Sequence, residues 1–286
     1  MASGIPVLRA IADLRAQVRS WRGHGDTVAL IPTMGALHEG HLQLVRLARS
    51  HAKRAVVSIF VNPTQFAPHE DFERYPRDEA GDLVKLAGVG CDAVWGPTQS
   101  VMYAEGFATR VVPAGAAEGL ESDFRPHFFG GVATVCCKLF TQVQPDVAVF
   151  GEKDYQQLMV VTQMVRDLDL PLEIIGAPTV READGLAMSS RNAYLSAEER
   201  RIARTLHQVI LEVAAKVAGG GDIVEATSAA KAALTQAGFG KIDYIEVRDA
   251  AILKSARPGS GRPLRVLAAA WLGRTRLIDN VGVQRS

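Results

Sequence analysis

The sequence predicts an α/β protein: a domain built on a parallel sheet, followed by a smaller α+β domain. Three observations carry that expectation. Short runs rich in Val, Ile and Phe alternate with longer segments of helical period, the pattern of β-α units feeding a parallel sheet. After Pro178 the pattern changes to helices first and strands later. The 286 residues are enough, at roughly 100–200 per domain, for two separate cores.

In the first half, Thr27–Pro32, Ala55–Val61, Asp92–Trp95, Val147–Phe150 and Leu172–Ile175 read as strands. The clearest helix between them carries Val132, Val135, Cys136, Leu139, Phe140 and Val143, which fall on one apolar face. Leu158, Val161, Val165 and Leu168 mark the next. Beyond the boundary, two successive helices are expected over Ala197–Ala218 and Asp222–Gln236, separated by Gly219–Gly221. Lys241–Arg248 then alternates as a strand, and Arg265–Leu272 and Arg274–Val281 form a hairpin around Gly273. The stretch Ala256–Pro263 has the Pro, Gly and Ser content of a surface loop. The two domains are thus residues 1–178 and 179–286.

Composition narrows the function. Hydrophobic residues make up 48% and charged residues 22% of the chain, so it reads as an ordinary globular protein. With 32 Lys+Arg against 31 Asp+Glu, it has no global field to hold a nucleic-acid backbone, and an anion site has to come from a few focused residues. The opening residues are interrupted by Arg9, Asp13, Arg15 and Arg19, which argues against a signal peptide. The longest apolar run, Val266–Leu272, is too short to cross a bilayer. Neither membrane nor nucleic acid is expected as a partner. Cys91, Cys136 and Cys137 form no CxxC pair, a usage that fits a reducing cytoplasm, and Cys136 and Cys137 lie within an apolar helix as packing residues.

Ligands of open parallel sheets gather at the carboxyl ends of the strands, and four such segments carry candidate chemistry. The first strand runs into Met34-Gly35-Ala36-Leu37-His38-Glu39-Gly40-His41, where a helix begins. His38 and His41 would share one face of its first turn, where backbone N–H groups and the helix dipole favour an anion, and Gly40 keeps that face low. A metal site or a merely polar helix end would use the same residues. HEGH lacks the spacing of a zinc-protease HExxH. A second strand end reads Gly151-Glu152-Lys153-Asp154, and Lys153 at a helix start calls for an anionic ligand or for its acidic neighbours. The third segment, from Arg181 through Met188, Ser189, Ser190 and Arg191 to Asn192, concentrates hydroxyls and a guanidinium on a loop with Gly185 as a hinge, suited to closing over phosphate oxygens. Ser196 is better explained as a cap for the helix that follows. The fourth, Asn62-Pro63-Thr64-Gln65-Phe66, continues into an acidic and aromatic loop through Tyr75; the Gln65 amide can donate to a carboxylate and accept from a hydroxyl. No GxxxxGK[ST] is present, and no GxGxxG follows an expected strand.

PTMGALHEGH, SIFVNPTQF, FGEKDYQQL and MSSRN, in this order and at these spacings, resemble the pantoate–β-alanine ligases (pantothenate synthetases), a family within the HxGH nucleotidylyltransferase superfamily. The resemblance covers essentially the whole chain. It implies a Rossmann-like amino-terminal domain, a smaller carboxy-terminal domain over the site, and a homodimer. It also implies a two-step ligation, in which pantoate and ATP give pantoyl adenylate and pyrophosphate, and β-alanine then displaces AMP. Mg²⁺ accompanies the ATP, with protein ligands unassigned. Carried over, Met34 to His41 line the ATP site, with His38 and His41 facing the phosphates and His41 as proton donor. Gly151 to Asp154, Val180 and Met188 to Arg191 also bind ATP; Lys153, Ser189, Ser190 and Arg191 join the histidines as catalytic residues. Gln65 and Gln157 contact pantoate, with Gln65 also near β-alanine, while Asn62, Tyr75 and Arg125 are further candidates for substrate binding. Where the family commonly reads RPGHFxGV, this chain reads Arg125-Pro126-His127-Phe128-Phe129-Gly130-Gly131-Val132, so His127 stands one residue early and carries no assigned role.

Two other readings remain open at the level of sequence: a nucleotidylyltransferase that stops at AMP transfer, and a catalytically silent nucleotide-binding regulator. Formation of free AMP separates the ligase from the first. Pantoate-dependent exchange of pyrophosphate into ATP separates it from the second.

Overall fold

The structure, a computed structural model, describes residues 4–284 except 68, 69, 71 and 257–260. Its elements in chain order are β1 (Val7–Leu8), α1 (Ile11–Gly23), β2 (Val28–Thr33), α2 (Glu39–His51), β3 (Arg54–Ile59), α3 (Glu79–Ala87), β4 (Ala93–Trp95), α4 (Gln99–Met102), α5 (Glu121–Phe124), α6 (Phe128–Val143), β5 (Val147–Gly151), α7 (Tyr155–Asp167) and β6 (Glu173–Ala177). Then follow α8 (Ala197–Ala203), α9 (Thr205–Ala218), α10 (Ile223–Ala237), β7 (Lys241–Asp249), β8 (Leu264–Leu272) and β9 (Thr275–Val283). The chain divides into two compact units, Met1–Glu152 with Val160–Pro178, and Lys153–Met159 with Thr179–Ser286.

The first unit holds a six-stranded sheet of order β1-β4-β3-β2-β5-β6, parallel throughout. Central strands with both faces covered should be continuously apolar, and Val28–Ile31 and Ala55–Val57 are fully buried. One face packs Ala29, Ile31, Val57, Val94 and Val149 against Leu44, Val45 and Ala48 of α2. The α6 stripe is buried as its spacing predicts, from Val132 through Cys136 to Val143. The short edge strand β1 has no counterpart among the expected strands, because two residues are too few to show a period.

The order of the strands positions the site. From β2 the chain steps outward to β3 and β4, then returns to pair β5 against the other side of β2. Strand order therefore reverses between β2 and β5, and at such a reversal the connections leave in opposite directions and open a crevice at the carboxyl ends. Met34–His38 follows β2, and Glu152 follows β5.

In the second unit, α9 buries Leu206, Val209, Ile210, Val213 and Val217 against the antiparallel sheet β7-β8-β9, which contributes Val247, Val266, Ala268 and Leu277. The β8–β9 register pairs Leu272 with Thr275 and leaves a two-residue turn at Gly273 and Arg274. Gly273 has φ +55°, and a Cβ there would run into the Glu199 carboxylate. Ser196 and Glu199 form a capping box at the start of α8, as a cap at Ser196 requires. The single helix expected over Ala197–Ala218 is two. At Arg204 the backbone tightens to φ −58°, ψ −24°, in the range of a 3-10 turn, which interrupts the α-helical ladder. Half of the loop expected over Ala256–Pro263, residues 257–260, lies outside the described residues.

Truncating a fully buried strand residue should cost about 2–5 kcal/mol, from lost transfer energy plus a cavity. Leu30→Ala, at a position 0% exposed, is expected to fall in that range by urea midpoint. Leu211→Ala, at a position 47% exposed, should stay within about 0.5 kcal/mol of the unmodified chain.

Candidate active site

At the end of β2, Thr33 Oγ1 donates to Ser58 O at 2.7 Å, which ties the strand's last residue to β3. The chain then turns through Gly35 (φ +82°) and Ala36 (φ +52°). Alanine in this left-handed region costs about 1–2 kcal/mol, so contacts further along have to hold the turn. They fall on Leu37, whose N–H donates to Asp82 Oδ1 at 2.8 Å and whose carbonyl accepts from Lys85 Nζ at 2.8 Å.

His38 is the N-cap of α2 and His41 its third residue. Gly40 N–H donates to His38 Nδ1 at 3.2 Å, and His38 N–H donates to His41 Nδ1 at 3.3 Å. The pair makes a reciprocal capping box of imidazoles, with ring centroids 4.1 Å apart. Because both Nδ1 atoms accept, the hydrogen of each neutral ring resides on Nε2, a donor suited to an anion at the positive end of the helix. Glu39 turns to the flank: hydrogen bonding from Arg46 outweighs desolvation and holds its carboxyl below the usual value.

Beyond β3, Asn62 is 1% exposed and its amide is fully committed. Nδ2 donates to Gln65 Oε1 at 3.1 Å and to Gly131 O at 3.2 Å, while Oδ1 accepts from Thr64 Oγ1 at 2.9 Å and Tyr103 Oη at 2.8 Å. Asn62 therefore orients Gln65. The other end of Gln65, Nε2, lies 3.2 Å from Met34 Sδ, which brings this residue to the β2–α2 turn. Gly131 makes the close approach possible, because a Cβ there would sit 2.5 Å from Thr64 O. Tyr75 is buried edge-on to Phe66. Arg125, expected as a carboxylate or phosphate contact, is consumed within the protein. It makes two 2.6 Å hydrogen bonds to the Glu70 carboxylate, donates to Gln65 O at 3.2 Å, and covers the Phe128 ring at 3.9 Å.

At the end of β5, Gly151 pairs with Ala177 of β6, and a 3-10 turn over Glu152–Asp154 leads into α7. Lys153 and Asp154 belong to the second unit. The Lys153 ammonium lies 3.6 Å from Asp154, and its carbonyl accepts from Asn280 Nδ2 at 2.9 Å. Tyr155 Oη donates to Ala250 O at 2.9 Å, and the Arg265 guanidinium lies over the Tyr155 ring at 3.7 Å. Gln157, half-buried, follows on α7.

The segment after β6 is a closed turn. Arg181 bridges to Ala187, Met188 N–H donates to Val180 O at 3.0 Å, and Gly185, at φ +92°, makes the bend. A Cβ at Gly185 would lie 2.8 Å from His207 Cδ2, so this glycine serves a tight turn packed on α9, where a hinge was expected. Ser189 caps a short 3-10 turn over Ser190–Tyr194 by accepting from Arg191 N–H at 3.3 Å. The structure thus brings Met34–His41 and Gln65 together in the first unit. In the second it gathers Lys153 and Asp154, and separately Val180 and Met188–Arg191.

The family model of pantoate–β-alanine ligases matches residues 6–282. The chain belongs to this family. The pantothenate synthetase of Caulobacter vibrioides is 59% identical over 282 residues, 97% of this chain and 98% of that protein. That of Mesorhizobium japonicum is 60% identical over 277 residues, 97% of each. Among solved structures, pantothenate synthetase from Thermus thermophilus superposes with TM-score 0.91 at 44% identity, covering 98% of this chain and 99% of that one. A Francisella tularensis pantoate–β-alanine ligase, complexed with β-γ ATP and β-alanine, gives 0.82 at 30% identity and covers 99% of each chain. Like the family, this chain is an enzyme with a parallel-sheet unit and a small antiparallel one. No helix among the described residues is long and apolar enough to cross a membrane. The cysteines of this pantoate–β-alanine ligase family member are poor nucleophiles: burial pushes Cys136 up to about 12 and Cys91 up to about 11.

Sequence reasoning missed a polar cluster in the second unit. Asp279, 4% exposed, accepts from both Arg181 terminal nitrogens at 2.7 and 2.9 Å, and His207 Nδ1 lies 3.4 Å away. The signal was available: along β9 Thr275, Leu277 and Asp279 alternate inward, and a carboxylate on that side requires a cation. Burial raises the Asp279 carboxyl, but hydrogen bonds from His207 and Arg181 and the Arg181 charge outweigh it and hold it below 3.8. A carboxyl held lower in the folded than the unfolded chain gives stability that is present above the unfolded value and lost as pH falls through the folded one. Stability should therefore decline below about pH 4. Asp279→Asn should flatten part of that decline and cost about 3–5 kcal/mol at neutral pH, because Arg181 is left facing no charge. Urea midpoints from acid to neutral pH check both; an acid limb unchanged in the variant would refute the assignment.

Proposed function

We propose that this enzyme condenses pantoate with β-alanine to give pantothenate, in two steps through a pantoyl adenylate, releasing pyrophosphate and then AMP. The observation that carries the reading is the imidazole capping box of His38 and His41, at the start of α2, where the strand order reverses. It supplies N–H donors and a helix terminus at the place a parallel sheet offers a phosphate. The complex of the Francisella relative with β-γ ATP and β-alanine supports both substrates.

Pantoate's carboxyl, with a pKa near about 4, is ionised at neutral pH, so the first step requires no general base. Its oxygen attacks the α-phosphorus, the bond to the bridging oxygen breaks, and pyrophosphate leaves with the bonding electrons. What has to be supplied is stabilisation of the charge that builds on the phosphate oxygens. In this reading Met34 to His41, Gly151 to Asp154, Val180 and Met188 to Arg191 bind ATP. His38, His41, Lys153, Ser189, Ser190 and Arg191 meet the developing charge, and His41 donates a proton to the leaving group. Gln65 and Gln157 hold pantoate, with Asn62 behind Gln65. In the second step the neutral amine of β-alanine attacks the acyl carbon, the carbon–oxygen bond to AMP breaks, and the amine loses a proton. Acyl adenylates hydrolyse readily, so water has to be kept away until the amine arrives. Mg²⁺ accompanies ATP in this reading and adds positive charge at the phosphates. Among the described residues no group of three or more His, Cys, Asp and Glu is placed to hold a metal, and magnesium carried on substrate phosphates needs only one or two protein carboxylates. A homodimer and a cytoplasmic setting complete the reading and rest on the family resemblance.

The test is the product ledger of the purified protein. AMP should form only when pantoate, β-alanine and ATP are all present, and pantoate alone should support exchange of labelled pyrophosphate into ATP. His41→Ala is expected to lower that exchange by on the order of 10²–10³ with an unchanged circular dichroism spectrum. Near-normal exchange in the variant would sink the role of His41, and absence of AMP from the unmodified enzyme would sink the ligase.

A further inference from the structure

We propose that Asp82 and Lys85, one turn apart on α3, act as a positioning clamp that sets the geometry of the His38–His41 pair by holding the backbone of Leu37 on both sides of its Cα. The inference rests on the proposed contact of those imidazoles with ATP. Asp82 Oδ1 takes the Leu37 N–H and Lys85 Nζ takes the Leu37 carbonyl, both at 2.8 Å, and the two side chains are 3.4 Å apart. One helix thus captures both polar groups of a single residue.

That residue is a junction. On one side are two successive left-handed residues, Gly35 and Ala36, the second of which does not favour the conformation. On the other is His38, the N-cap whose ring interlocks with His41. Any rotation of the Leu37 backbone is passed to the cap.

Helix capping and ion pairing account for Asp82 less well. It does not cap α3, because Asp78 does so by accepting from Gly81 N–H at 3.0 Å. A half-exposed pair with Lys85 contributes little by itself. Asp82 is 1% exposed, and its second oxygen, Oδ2, has no hydrogen-bond partner among the described residues. A buried carboxylate with one idle oxygen is destabilising unless the other has a task, and the charge-assisted bond to Leu37 is that task. The turn also packs closely on this carboxylate, since a Cβ at Gly35 would lie 3.2 Å from Oδ2 and from Ile59 Cγ2.

The test uses the full chain with Asp82→Leu, Asp82→Asn and Lys85→Met. The readouts are kcat and KM for pantoate-dependent pyrophosphate exchange and the imidazole NMR resonances of His38 and His41 without ligand. Misplacement of reacting groups by about 1 Å costs about 100-fold, so a loosened cap should cost at least about ten-fold in kcat. Asp82→Leu is expected to lose that much and to move both imidazole signals. Lys85→Met should move them the same way by less, and the double variant should be no worse than Asp82→Leu, because both act on the backbone of one residue. Asp82→Asn keeps an oxygen for the Leu37 N–H and should stay within about five-fold of the unmodified enzyme. A folded Asp82→Leu with unmoved signals and normal kcat would overturn the clamp, as would Asp82→Asn impaired as deeply as Asp82→Leu. If Asp82→Leu does not fold, Lys85→Met decides, since that side chain is 41% exposed and its loss spares the core. Absence of exchange in the unmodified enzyme would reject the ATP reading, while the resonances would still test the clamp.

Discussion

The parallel pairing of β2 with β5 is the constraint on which the site depends. Parallel strands deliver their exits to one edge of the sheet, and the return of the chain from β4 to β5 puts the exits of two distant segments at neighbouring strands. The register of Ala29 with Val147 and Leu30 with Ala148 is set within the continuous apolar run of β2, where a slip of one residue would exchange the two buried faces. The geometry of the HEGH turn is therefore supported by residues far from it in the sequence. An apolar core fixes the edge, and the edge fixes the place where a helix can begin with its N–H groups facing the crevice.

What was legible in the sequence follows from period and from punctuation. Apolar runs bounded by Gly and Pro located β2, β3, β4, β5 and β6 to within two residues at each end, and the α6 stripe predicted its buried face. The helix start at HEGH was legible because Gly and His interrupt an apolar pattern at a strand exit. The break at Arg204 was not, because a tightening of the backbone by some degrees in ψ leaves the hydrophobic spacing of α8 and α9 intact. Leu206, Val209, Ile210 and Val213 still fall where a continuous helix would put them.

Side-chain partners were the least legible feature, and cations show why. Arg125, Arg181 and Arg200 look alike in a sequence as possible anion contacts. In the fold Arg125 is taken by Glu70, Arg181 by Asp279 and Arg200 by Asp184, whose carboxyl is held below its usual value by the Arg200 hydrogen bond. The acidic partners lie 55, 98 and 16 residues away, and no local pattern joins them. Asn62 illustrates a related point. An amide looks available in a sequence, but complete burial has it facing inward, where each of its lone pairs and hydrogens is already used. The useful sign in such cases is a polar residue on an apolar face: Asp82 shares the buried side of α3 with Leu86, one turn on, and Asp279 shares the inward side of β9 with Leu277.

Those two carboxylates stand in different relations to stability. Asp279 is matched by a bidentate guanidinium and an imidazole, so its burial is compensated locally and it consolidates β9 with the turn that begins at Arg181. Its neighbour Asn280 then extends the same strand's influence to the Lys153 carbonyl. Asp82 is compensated only on one oxygen, by a backbone N–H in a turn that is itself strained at Ala36 and by the half-exposed Lys85 ammonium. A fold selected for stability alone would relax this arrangement, with glycine at position 36 and an apolar residue at position 82. Keeping the strain and the half-satisfied carboxylate together makes physical sense if the turn's orientation matters more than its free energy. The cost is offset by the burial of the strands on either side, Val28–Ile31 and Ala55–Val57 among them.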